Sequence, residues 1–303
     1  MYPTFIMMVG LPYSGKSYYA EKLGRELGAS VHSSDAIRAE LLGDAQDQSN
    51  PEKVFTELHR RIREDLSAGR STIYDATNIS YKRRMSFLQQ LKKIPCRKVC
   101  VFMATPFGTI LERSKSRERV VPYEVVENMY RHIWIPYYYE GWDEIRLVYP
   151  NGFNPWDQRL LFSLDGGICN ISQDNPHHTM TVGDHCLIAF ALVESSSNEV
   201  MEAALLHDIG KPFTKTFTNR KGEKTDVAHY YDHHLVSAYD SLFYTSPSLD
   251  RLRVAMLIQW HMKHYEVAHA PDPATALEKF RALVGDEIYK DIEAIHDADR
   301  KAH

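Results

Sequence analysis

No apolar run in this 303-residue chain approaches the roughly 18 residues that a membrane-spanning helix needs, and the N-terminus lacks a signal peptide's basic flank and long apolar core. A cytoplasmic protein is the expectation. Cysteine is scarce as well. Cys96, Cys100, Cys169 and Cys186 fit neither a CxxC metal knuckle nor a disulfide framework, so they read as small buried apolar residues. An excess of one charge is also missing. With a net charge of -4 the chain cannot attract a polyanion through its overall field, and any such site must be local. Basic residues cluster at Lys82, Arg83 and Arg84, at Lys92, Lys93, Arg97 and Lys98, and at Arg113, Lys115, Arg117 and Arg119; each cluster alone reads as a solvated helix face. Internal repeats and low-complexity tracts are absent.

What is present is the composition of a folded protein, 44% apolar and 25% charged, with enough length for two cores. The two halves differ sharply in histidine: three of the fifteen precede residue 151 and twelve follow it. The turn-forming stretch Tyr149-Pro150-Asn151-Gly152-Phe153-Asn154-Pro155 lies between, which sets domains at 1–150 and 151–303. In the first half, short apolar runs (Phe5–Val9, Thr72–Tyr74, Val99–Met103, Ile145–Val148) alternate with longer amphipathic stretches, the pattern of an α/β parallel sheet with flanking helices. In the second half apolar residues recur at helical spacing over Leu187–Val193, Val200–Leu206, Leu235–Leu242, Leu252–Trp260 and Tyr289–Ile295, which predicts an all-helical domain.

Gly10-Leu11-Pro12-Tyr13-Ser14-Gly15-Lys16-Ser17 has the form GxxxxGK[ST], placed between an apolar strand and a helix predicted over Tyr18–Leu27. Glycines at Gly10 and Gly15, with Ser14 between them, let backbone N–H groups curl around phosphates at a helix N-terminus. Lys16 would reach the β and γ phosphates of ATP and Ser17 would ligate Mg²⁺. Two acidic residues follow predicted strand ends. Asp35, in Ser33-Ser34-Asp35-Ala36-Ile37-Arg38, either takes a proton from an attacking hydroxyl or caps the helix Ala36–Leu42. Asp75 would act through the metal, and Asn78 through substrate or nucleotide. Arg113, Arg117 and Arg119, before Pro122, are placed to close over a triphosphate.

On these motifs, residues 1 to about 150 resemble the kinase domain of phage polynucleotide 5'-kinases and the related zeta-toxin-like P-loop kinases. The resemblance implies that Asp35 is the general base for a 5'-hydroxyl and that Arg38 contacts the phosphate at the acceptor end. It also implies a lid arginine, with Arg117 the better match and Arg113 the second.

The second half carries Ala204-Leu205-Leu206-His207-Asp208-Ile209-Gly210-Lys211-Pro212. A His-Asp pair alone arises by chance in about one chain in three of this length, but here His185 precedes it and His233, His261 and Asp299 follow. Imidazole with carboxylate suits Mn, Fe, Zn, Ni or Co rather than Ca²⁺. The order H…HD…H…H…D resembles the HD phosphohydrolase superfamily over Asn175 to Asp299, and the HD-x-G-K stretch resembles the HD domain of bacterial tRNA nucleotidyltransferases. That resemblance implies one metal on His185, His207, Asp208 and Asp299, and a second on His233 and His261 with Asp208 bridging. His234 and His264 compete for the last two places. It also implies Lys211 on the scissile phosphate and His178 at the substrate.

A 5'-kinase joined to an HD phosphohydrolase resembles RNA end-healing enzymes, which prepare a break in tRNA or another nicked RNA for an RNA ligase. The expected reactions are ATP-dependent 5' phosphorylation and metal-dependent removal of a 2',3'-cyclic, 2' or 3' phosphate. A small-molecule or nucleotide kinase joined to an HD nucleotidase is the alternative. A tRNA nucleotidyltransferase relative is disfavoured, because no GS-x-x-R followed by paired Asp occurs in the first half.

Overall fold

In a computed structural model, which describes residues 2–116, 121–176 and 179–302, the chain divides into two compact units. One comprises Met1–Met129 and Pro136–Asn151, the other Tyr130–Ile135 and Gly152–His303.

The first unit contains β1 (Thr4–Val9), α1 (Lys16–Leu27), β2 (Ser30–Ser33), α2 (Ser34–Leu42), α3 (Pro51–Ser67), β3 (Thr72–Asp75), α4 (Tyr81–Gln90), β4 (Arg97–Met103), α5 (Phe107–Lys115), most of α6 (Tyr123–Arg131) and β5 (Glu144–Val148). The five strands form one parallel sheet in the order β2-β3-β1-β4-β5. Covered on both faces, its central strands read as continuous apolar runs, and Phe5 to Val9 are all buried. Because β3 and β4 both flank β1, the chain direction splits at the C-terminal end of β1, where open α/β sheets bind ligands. Asp75, the last residue of β3, therefore ends on the strand adjacent to the Gly10–Ser17 loop.

The second unit continues with α7 (Gln158–Leu161), α8 (Val182–Leu192), α9 (Asn198–Leu206), α10 (Lys211–Thr214), β6 (Thr216–Thr218), β7 (Lys224–His229), α11 (His233–Tyr244), α12 (Arg251–Trp260), α13 (Lys263–Ala268), α14 (Pro273–Val284) and α15 (Asp286–Lys301). Helix α12 is buried along nearly all its length, from Val254 to Trp260, and packs on α9, α11 and α15. A helix apolar all round belongs at the centre of a bundle. The unit is helical as its periodicity predicts, with one addition: β6 and β7 pair as an antiparallel ribbon. Among the described residues no helix is long and apolar enough to cross a membrane.

Candidate phosphate-binding and metal sites

The Gly10–Ser17 loop takes its shape from backbone angles that favour glycine. φ is 150° at Gly10, 63° at Tyr13 and 95° at Gly15. Gly15 is the N-cap of α1 and supplies no side chain, so the first N–H groups of this helix are left for a ligand. Lys16 is buried, and its Nζ donates to the Leu11 carbonyl at 2.6 Å and faces Ser14 Oγ at 3.5 Å. Burial lowers its pKa to about 8, opposed by the charges of Asp75 and Asp35. Asp75 moves the other way. Burial raises it, against a hydrogen bond from Ser17 and the charge of Lys16. Lys16, Ser17, Asp35 and Asp75 thus form one electrostatic neighbourhood at the end of β1.

Asp35 is not the cap of α2. That helix begins at Ser34 with Ser33 at its N-cap, and Asp35 lies in the first turn with 52% of its side chain exposed. Arg38 is almost fully buried and holds Asp35 Oδ1 through Nη1 at 2.6 Å, with a second bond from Nη1 to the Ala45 carbonyl at 3.1 Å. Its Nε is buried without a hydrogen-bond partner among the described residues. Arg113 reaches the loop from α5, its Nη1 3.2 Å from the Tyr13 carbonyl and 3.4 Å from that of Ser14. Arg117 and Arg119 lie outside the described residues.

Asn78 is committed elsewhere. Its φ is 49°, and its Nδ2 donates to the Met8 carbonyl at 2.8 Å, tying the β3–α4 turn to β1. The Asn78 carbonyl accepts from Arg84 Nη1 at 2.9 Å. Arg84 corrects the expectation of a solvated basic face at residues 82–84. It is 1% exposed and forms a two-point ion pair with Glu140, Nε–Oε2 at 2.8 Å and Nη2–Oε1 at 2.6 Å. Trp142 Nε1 also donates to Glu140 Oε2, at 3.0 Å.

In the second unit, six ligand-type residues converge. His185 stands on α8, His207 and Asp208 follow α9, His233 begins α11, His261 follows α12, and Asp299 lies on α15. All six are buried. Each histidine places Nδ1 against a backbone carbonyl: His185 on Ala302 at 3.3 Å, His207 on Ala204 at 2.8 Å, His233 on Tyr230 at 2.7 Å and His261 on Ile258 at 2.7 Å. A carbonyl only accepts, so the proton sits on Nδ1 and each Nε2 turns a lone pair inward, the arrangement metal-ligating histidines adopt.

The Nε2 atoms of His185 and His207 are 3.1 Å apart, and those of His233 and His261 are 3.3 Å apart. Facing lone pairs at these distances repel unless a cation lies between them. Asp208 spans the two pairs. Its Oδ2 is 3.4 Å from His185 Nε2 and 3.3 Å from His207 Nε2, and its Oδ1 is 3.0 Å from His233 Nε2 and 3.9 Å from His261 Nε2. With the His233 N–H given to Tyr230, no donor among the described residues is aimed at the buried Asp208 Oδ1. Asp299 Oδ1 completes the first pair, 3.0 Å from His185 and 3.5 Å from His207. Two three-residue sets that share Asp208 result. The cluster therefore fits metal ions, and its mixed imidazole and carboxylate donors suit first-row transition metals.

Without an ion in the pocket, electrostatics put positive charge on one of the histidines instead. Burial works against charge on His207, but Asp208 and Asp299 outweigh it and raise its pKa to about 10; burial lowers His261 to about 3. A positive charge is favoured at the carboxylates, where a cation would sit.

His234 and His264 stand outside the cluster. His234 is buried against the Trp134 ring, and His264 stacks on His296 at 4.7 Å. Lys211 Nζ lies 2.5 Å from Asp208 Oδ2 and 2.8 Å from Gln173 Oε1. His178 lies outside the described residues. Sequence reasoning missed Gln173, and Tyr265, whose hydroxyl donates to Asp299 Oδ2 at 3.2 Å. Both are neutral residues far along the chain from their partners, Lys211 and Asp299, and no spacing signals them.

Comparison with known proteins agrees on both halves. Residues 5–133 match the family model described as an AAA domain, and residues 177–302 match that described as an HD domain. No curated protein matches this sequence. Among solved structures, a sugar kinase from Janibacter sp. HTCC2649 aligns at 16% identity over 48% of this chain and 85% of its own, with a TM-score of 0.37. A chain of the Pnkp1/Rnl/Hen1 RNA repair complex aligns at 20% identity over 42% of this chain and 43% of its own, with a TM-score of 0.39. The APS kinase CysC of Mycobacterium tuberculosis aligns at 21% identity over 38% of this chain and 70% of its own, with a TM-score of 0.33. This chain is a P-loop kinase-like α/β domain fused to a helical HD phosphohydrolase domain.

Proposed function

We propose that the protein heals broken RNA ends, phosphorylating a 5'-hydroxyl with ATP and removing a 2',3'-cyclic, 2' or 3' phosphate. In the kinase half, the backbone N–H groups of the Gly10–Ser17 loop and Lys16 hold the β and γ phosphates, and Ser17 with Asp75 faces their Mg²⁺. Asp35, exposed yet held by Arg38, accepts the proton of the attacking hydroxyl as its oxygen bonds to the γ phosphorus and the bond to the β-phosphate oxygen breaks. Arg38, bonded to Asp35, would bind the phosphate at the acceptor end. Arg113, fixed to the loop carbonyls and aided by Arg117, offsets charge on the transferring group.

In the HD half, His185, His207, Asp208 and Asp299 would hold one metal, and Asp208, His233 and His261 a second. A metal there supplies Lewis acidity and an ionised water near neutral pH. Lys211 offsets negative charge on the phosphate while Gln173 orients its ammonium, and His178 contacts the substrate. The products, a 5'-phosphate and a 3'-hydroxyl, are the ends that an RNA ligase joins.

Support comes above all from the pairing of an acceptor-side carboxylate, Asp35, with a buried histidine and aspartate pocket on the same chain. The test is a 5'-hydroxyl, 2',3'-cyclic-phosphate RNA oligonucleotide incubated with ATP and divalent metals, both ends being analysed against free nucleosides as competitors. Modification of both ends is the expected result. Phosphorylation of nucleosides or sugars with no action on either RNA end would replace this reading by a small-molecule kinase.

A further inference from the structure

Residues Tyr130–Ile135 precede the turn-rich stretch at 149–155, yet they belong to the second unit. Their contacts fall beside one part of the metal cluster. Arg131 Nη2 donates to the Phe213 carbonyl at 3.1 Å and its guanidinium lies 4.8 Å from the Phe213 ring, two residues beyond Lys211. His132 Nε2 is 3.6 Å from the carboxylate of Asp232, the residue before His233. The Trp134 ring meets His234, the residue after His233, at 6.3 Å and Trp260, the residue before His261, at 4.8 Å. The Ile135 N–H donates to Gln259 Oε1 at 2.9 Å, and Gln259 Nε2 faces the Ile135 carbonyl at 3.4 Å. Gln259 is 1% exposed and two residues before His261.

Among these contacts, none is made beside His185, His207 or Asp299. Arg131 reaches α10, and the contacts of His132, Trp134 and Ile135 converge on the backbone that carries His233 and His261. We propose that Tyr130–Ile135 is a strap that positions the second metal subsite, formed by Asp208, His233 and His261, and thereby sets whether the HD centre binds one metal or two. The chemistry is that of groups around a ligand shell: Nδ1 of His233 and of His261 is aimed by the carbonyls of Tyr230 and Ile258, and a shift of that backbone turns the Nε2 lone pairs away from the ion. The inference rests on the metal reading of the cluster and not on the RNA reading.

It is tested on the whole 303-residue chain without RNA. Metal-free protein is titrated with Mn²⁺ by calorimetry, and the metal retained after desalting is counted. Wild type is expected to take up two equivalents. In Trp134→Ala and in Gln259→Met the second equivalent weakens by about tenfold or more, with the first equivalent and ATP binding unchanged. Trp134→Phe, which keeps a ring against Trp260, recovers most of the second equivalent. Uptake of a single equivalent by wild type overturns the proposal, as do variants in which both equivalents weaken together or neither weakens. Failure of the RNA reading would show as two-metal protein without action on RNA ends.

Discussion

Gly210 decides whether Asp208 can reach His233. A methyl group there would lie 2.6 Å from the Ser237 nitrogen and 2.7 Å from the His233 carbonyl, both backbone atoms of α11 that have no room to retreat. The Gly210 N–H also donates to Ser237 Oγ at 2.9 Å. Gly210→Ala is therefore expected to cost about 1–3 kcal/mol in urea unfolding and to reduce the metal retained after desalting; wild-type values for both would show that the turn is not tight. Asp240 is a second single-residue case. Burial raises its pKa to about 7, against a hydrogen bond from the Tyr130 hydroxyl at 2.7 Å. The folded protein keeps this proton where the unfolded chain, with a carboxyl near the usual ~4, has lost it. The stability this proton supplies is thus complete below about pH 4 and lost as pH rises towards about 7. Asp240→Asn should raise the melting temperature by a few degrees at about pH 8 and by less at about pH 5. Equal shifts at the two pH values would remove the carboxyl from the account.

At the scale of elements, what the sequence shows depends on whether a pattern is local. The strands β1, β3 and β4 are legible because a parallel sheet buries both faces and leaves continuous apolar runs, and the edge strand β5 shows only as the shorter stretch Ile145–Val148. The ribbon of β6 and β7 is not, since Thr216–Thr218 and Lys224–His229 are short and polar and their pairing follows from the fold around them. The buried cluster of histidines and aspartates was legible as an order along the chain. The choice of His233 over its neighbour His234 was not, because it turns on where α11 begins. Arg84 is the clearest loss. A Lys-Arg-Arg run carries no sign that its last member is closed against Glu140, a partner 56 residues away. Removing one member of a buried ion pair leaves the other uncompensated. Arg84→Met should therefore cost about 3–5 kcal/mol in chemical unfolding and weaken ATP binding, since the same guanidinium holds the Asn78 turn beside β1. Replacing both partners, Arg84→Met with Glu140→Leu, should recover much of the loss. A single variant as stable as wild type would mean that the pair contributes little.

For the whole molecule, the proposed RNA end healing requires that each of the two sites work while the other is idle, because a broken strand does not present its ends in a fixed order. The two candidate sites share no residue: one comprises Lys16, Ser17, Asp35 and Asp75 around the Gly10–Ser17 loop, the other four histidines and two aspartates buried in the helical unit. Lys16→Ala removes the ammonium proposed to hold the β and γ phosphates and is expected to lower 5' phosphorylation by at least about a hundredfold, leaving 3' processing and metal content at wild-type levels. Asp208→Ala removes the carboxylate that spans both histidine pairs. It is expected to abolish metal retention and 3' processing and to leave 5' phosphorylation with Mg²⁺ unchanged. Both ends are read on one doubly modified oligonucleotide by gel mobility, with bound metal counted in parallel. If Lys16→Ala also lost 3' processing, or Asp208→Ala also lost 5' phosphorylation, with either variant still folded, the two ends would share a site and the division of labour argued from the residues would fail.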